Sequence, residues 1–167
     1  DKMEKELVRT GVSDEKVKKL ALAALFAALS YIGFQVFRFD IPVGTEKTAF
    51  HLGNTFVALG ALFIGGAMGG AAGAVGLTIA DLTSGYATSA PKTFILKLLI
   101  GIIVGFMAHR VFKVNEITEK KKLLMATVLS AACGLAFNIV ADPLVGYLYK
   151  QYVLGIPQEI SAAFAKI

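Results

Sequence analysis

From Ala49 to Thr93 the chain carries only two charged side chains, Asp81 and Lys92. A water-facing surface cannot be built from so few charges, because soluble domains hold about a quarter of their residues as Asp, Glu, Lys and Arg. The whole chain follows this trend, with 56% apolar residues, 17% charged residues and a mean hydropathy of +0.67. This excludes a disordered chain, a soluble nucleic-acid module and a disulfide-stapled secreted domain. Cys133 stands alone, so neither an intrachain disulfide nor a cysteine-rich metal site is available. The reading is an all-α, polytopic membrane helix bundle, a single transmembrane domain over residues 1–167.

A helix needs roughly 20 apolar residues to cross the hydrocarbon core. Spans are expected at about 20–37, 52–65, 67–82, 93–111 and 123–149. The run Leu52 to Leu82 reads as one long helix or as two short ones divided near Gly65-Gly66. Charge decides between them. Lys2, Lys5, Arg9, Lys16, Lys18 and Lys19 precede the first span, and Arg110, Lys113, Lys120, Lys121 and Lys122 follow the fourth. Cytoplasmic segments are rich in Lys and Arg. Both segments therefore belong in the cytoplasm, with the N-terminus, and only the two-helix reading gives the even number of crossings this needs. Pro143 predicts a kink or break in the fifth span. Residues 1–19 are too charged for a signal peptide. Gly155-Ile156-Pro157 reads as a turn before a sixth span from about 158. The apolar stretch Ser161 to Ile167 would reach only about 10 Å as a helix, so the sixth span is expected to be truncated.

Ionisable groups inside membrane spans are costly and point to function. This topology gathers them at the outer side: His51 and Asn54 opening span two, Asp81 and Ser84 closing span three, Lys92 and Lys97 opening span four, and Asn138 and Asp142 in span five. The last two are four residues apart and share a helix face. Each also has a structural reading. His51 suits a helix start, Asp81 can pair with Lys92 or Lys97, and Lys97 can snorkel to the interface. Tyr86, Tyr147 and Tyr149 suit an aromatic belt, or stacking on a ligand. Ala24 and Ala28, with Ala23 and Ala27 beside them, form a flat face on span one for a partner protein. Gly65, Gly69 and Gly73, and Gly66 and Gly70, repeat the small-residue spacing and read as packing within the chain. No phosphate-binding loop, zinc-protease motif or nucleophile elbow is present, so the groups read as binding groups rather than a reaction centre.

The stretches Ala24-Leu-Phe-Ala-Ala28, His51-Leu-Gly-Asn54, the glycine-rich hairpin, and Ala80-Asp-Leu-Thr-Ser-Gly-Tyr86 followed by Ala90-Pro-Lys-Thr-Phe-Ile-Leu-Lys97 carry a resemblance. They resemble the substrate-binding S components of energy-coupling factor (ECF) vitamin transporters, an ABC importer class, over roughly residues 20–112. The resemblance implies a six-helix S-component fold in a bacterial cell membrane. It implies that one vitamin is captured near the outer surface. It also implies a transmembrane coupling protein (T component) and two cytoplasmic ATPases as partners. ATP would be used by those ATPases, with no cofactor bound by this chain. It maps partner docking onto Ala24 and Ala28, and the pocket onto His51, Asn54, Asp81, Lys97, Asn138 and Asp142. Asn54 stands where Asp is expected in many relatives.

Asp, Asn, His and Lys around an apolar enclosure suit a ring bearing hydroxyl or amine groups. Vitamin B6 or hydroxymethylpyrimidine fits that chemistry, with pantothenate and riboflavin as alternatives. Two other classes stay open on the residues: a self-associating channel driven by the glycine spacing, and a membrane enzyme using Asp142 and His51.

Overall fold

The computed structural model describes residues 1–10, 13–43 and 46–156. The expected sixth span, from about 158, lies outside the described residues. A short amphipathic helix α1 (Lys2–Thr10) precedes α2 (Asp14–Val36). Ser13 enters α2 in an extended conformation, and Asp14 and Glu15 place acidic charge in its first turn. Negative charge is favourable there because the helix N-terminus is partially positive. Leu20, where the first span is expected to begin, therefore lies well inside a longer helix.

After α2 the chain forms a two-stranded antiparallel hairpin, β1 (Arg38–Val43) with β2 (Glu46–His51). This is an addition to the expected loop. Three short connections then build the rest: α3 (Gly53–Ile64), α4 (Gly66–Thr83), α5 (Ala90–Phe106) and α6 (Lys120–Leu148). A single residue, Gly65, separates α3 from α4, with φ of 94° and ψ of 156°. Only glycine adopts this region at low cost. Pro91 lies in the first turn of α5, where its missing N–H has no helical partner to lose.

Helix α4 is the centre of the bundle because its glycines remove side chains on several faces. A Cβ at Gly101 or Gly105 would overlap the backbone of Gly70 or Gly66, so α4 and α5 meet backbone to backbone. Gly69 likewise meets Gly60 on α3, Gly73 meets Val57, and Gly76 meets the Ala27 carbonyl on α2. The glycine repeats thus serve packing inside one chain. The enclosed core is Phe34, Val57, Ala58, Ala61, Leu77, Ala80, Ile100 and Val104.

Large apolar side chains on every long helix face outward, among them Ile32, Phe63, Ile79, Ile95, Leu124 and Val140. Such a surface is stable only in lipid or against a partner. Three helical stretches, Asp14–Val36, Ala87–Val111 and Lys120–Val153, are long and apolar enough to cross a membrane, and Gly53–Ile64 is shorter. The molecule is an all-α, multi-pass membrane bundle.

Helix α6 continues through Pro143 without a break to Leu148, then into a π-turn at Tyr149–Val153. Proline removes only one backbone donor, which membrane helices tolerate. Helix α5 ends at Phe106, and a π-turn, Met107–Val111, completes the stretch expected to be helix.

Candidate functional site

Alternating helix directions bring the end of α2, both strands, the start of α3, the end of α4, the start of α5 and the end of α6 to one end of the bundle. The basic segments lie at the other end.

At this hairpin end α5 is the polar spine. In its first turn, Thr93 Oγ1 donates to Asp81 Oδ2 at 2.5 Å, joining α5 to α4. Lys92 Nζ meets Asp142 Oδ1 at 2.5 Å and Lys97 Nζ donates to Asn138 Oδ1 at 3.0 Å, joining α5 to α6. The four-residue spacing of Asn138 and Asp142 thus matches two lysines of the facing helix. Asp81 is 6% exposed and Lys97 4%, so Lys97 does not snorkel. Buried charge is tolerated only with partners. Three hydrogen bonds from Lys92, Thr93 and Lys97 thus tie Asp81, Asp142 and Asn138 to the first two turns of α5. The expected pairing of Asp81 with a lysine is replaced by the Thr93 hydrogen bond, because Lys92 reaches across to α6.

His51 lies at the end of β2, outside the helices. Its ring packs on Phe34, with centroids 4.6 Å apart. The Gly53 N–H donates to His51 Nδ1 at 3.1 Å, which requires an unprotonated nitrogen there. Burial, with the positive charge of Lys97 next, pushes its pKa down to about 3, while Asp142 opposes the shift. The ring is therefore neutral, with its proton on Nε2. Phe34 also meets Tyr86 edge to face at 6.3 Å, and the Arg38 guanidinium lies over both rings at 5.2 and 5.7 Å. An aromatic wall thus stands beside the charged cluster.

Asn54 sits in the first turn of α3 with its Oδ1 buried and without a hydrogen-bond partner among the described residues. Gln151 Oε1, on the π-turn after α6, is in the same condition. Ser84 follows the last turn of α4 at this end, as expected. Its hydroxyl donates to Gln35 Oε1 at 2.9 Å, and Gln35 Nε2 reaches Thr83 and Tyr31, so Ser84 fastens α2 to α4. Tyr149 donates to the Thr88 carbonyl at 2.9 Å.

On α2, Ala24 and Ala28 are exposed and Ala23 is half-buried. Ala27 turns partly inward, with its carbonyl against Gly76. Ala27 and Ala28 border an open apolar groove of about 420 Å³ with Tyr31, Ile32, Gly76 and Ile79. Thr93, Phe34, Arg38, Gln35 and Gln151 are not flagged by the sequence reading. Thr93 alone carries a usable signal, since it stands one residue from Lys92 and one turn from Lys97.

The fold and these groups define a multi-pass membrane protein whose buried polar side chains gather at one end. Residues 14–166 match the family described as "ECF-type riboflavin transporter, S component", and the chain belongs to this family. It is a vitamin-binding transporter subunit that works with an energy-coupling module, not an enzyme. A protein of Pyrococcus woesei described as "Uncharacterized protein in gap 3'region" is 30% identical over 124 residues, 74% of this chain and 73% of that protein. No solved structure matches the chain significantly.

Proposed function

We propose that this S component captures a small water-soluble vitamin with a nitrogen-containing aromatic ring, of the pyridine or pyrimidine type, at the hairpin end. The observation that carries this is the meeting of Asp81, Lys97, Asn138, Asp142 and His51 from four elements beside the Phe34–Tyr86 wall. The wall supports stacking of a flat ring. The His51 Nε2–H and the Asn54 carbonyl supply one donor and one acceptor toward ring substituents. The hairpin that carries His51 closes over the bound vitamin. Selectivity then follows from buried polar groups, where a lost partner costs about 1–3 kcal/mol.

In this reading the basic end faces the cytoplasm. There the Ala24 and Ala28 face docks on the T component, and two ATPases drive reorientation in the membrane. Riboflavin is the second reading, favoured by the description of the matching family. Pantothenate is a further alternative, for whose carboxylate Lys97, hydrogen-bonded directly to the neutral Asn138, would be the cation, since Lys92 already holds Asp142. Mass spectrometry of ligand released from the purified protein tests the choice. A pyridine or pyrimidine vitamin is the expected species, flavin would select the second reading, and release of neither would contradict both.

A further inference from the structure

The basic end carries a feature that vitamin capture does not use. From the π-turn after α5 to the first turn of α6 the chain carries five cations: Arg110, Lys113, Lys120, Lys121 and Lys122. Two of them are answered by acids, Lys113 by Glu116 at 3.8 Å and Lys122 by Glu119 at 2.8 Å. Lys120, Lys121 and Arg110 have no acidic partner among the described residues, and all three are exposed.

Lys120 and Lys121 open α6, and the turns above them are apolar and uncovered. Leu124 is 65% exposed, Met125 56% and Val128 56%. Residues three and four apart share a helix face. Lys120 and Lys121 therefore stand directly below Leu124, and Lys121 below Met125, with Val128 the next step along the same stripe.

We propose that the foot of α6 is a binding site for an anionic phospholipid. Lys120 and Lys121 hold its negatively charged headgroup. One acyl chain lies along Leu124, Met125 and Val128. The continuity of unanswered cations with an exposed apolar stripe favours a lipid over a soluble anion, which has no use for the stripe. Near a membrane surface each lysine contributes about a five-fold gain in affinity for anionic lipid.

The test is native mass spectrometry of the full chain, released from micelles carrying equal amounts of phosphatidylglycerol and phosphatidylcholine. The expected result is preferential retention of phosphatidylglycerol. The preference should fall about five-fold per lysine in Lys120→Gln and Lys121→Gln and persist in Lys120→Arg/Lys121→Arg. Competition by glycerol phosphate as strong as by the lipid would overturn the acyl-chain part. Equal retention of both lipids by the wild-type chain would overturn the site. So would an unchanged preference in the Gln variants, including the case in which they lose only co-purification with the energy-coupling module.

Discussion

Lys97 shows most sharply what a single side chain does in this bundle. It is buried, and its direct hydrogen-bond acceptor is the neutral Asn138. Removing one member of such a pair leaves the other desolvated and unanswered. Asn138→Leu should therefore destabilise the detergent-solubilised protein by about 1–3 kcal/mol, read as a lowered midpoint of thermal unfolding. Lys97→Met added to it should recover part of that loss, because no orphaned charge remains. His51 makes a second prediction. Its folded pKa of about 3 lies below the value near 6.5 expected in the unfolded chain. As pH falls, the unfolded chain takes up the proton first. Its contribution to stability is thus fully present above about pH 6.5 and lost progressively from there down to about pH 3. NMR of the imidazole should report a neutral ring down to about pH 4, and a ring titrating near 6.5 would contradict the placement.

Among the elements, the α4–α5 contact depends on the absence of side chains. Gly101→Leu would drive a branched side chain into the Gly70 backbone, and loss of folded protein on size-exclusion chromatography is the expected outcome. Gly65→Ala is a milder change. It meets open space but must hold φ of 94°, so a cost of about 1–3 kcal/mol is expected in thermal unfolding. On α2 the exposed Ala24 and Ala28 predict that Ala24→Leu or Ala28→Leu lowers co-purification with the energy-coupling module and leaves ligand binding intact. Unchanged co-purification would contradict that docking face. The helices themselves are legible in the sequence, because apolar runs, the Gly65-Gly66 break and the Ser89–Pro91 start are local signals. The hairpin is not, since Arg38–Ala49 has no clean alternation and the strand pairing is set by register rather than by a local signal. Nor are the pairings of Thr93 with Asp81 or Gln35 with Ser84. They depend on how far each helix is rotated about its axis, which glycine contacts between helices fix and hydropathy does not.

At the scale of the whole molecule, one end of an apolar bundle holds the buried charges and the aromatic wall, and the other holds Lys120 and Lys121, which have no acidic partner among the described residues. In the proposed reading, that polarity separates selectivity at one surface from attachment to membrane and module at the other. Isothermal titration of the detergent-purified chain with a panel of B vitamins and their ring precursors tests the capture claim most directly. The account predicts micromolar or tighter binding of one heteroaromatic vitamin without ATP, weakened at least ten-fold (about 1.4 kcal/mol or more) by His51→Ala. Folded protein that binds no member of the panel, or binds one with the affinity unchanged in His51→Ala, would contradict it.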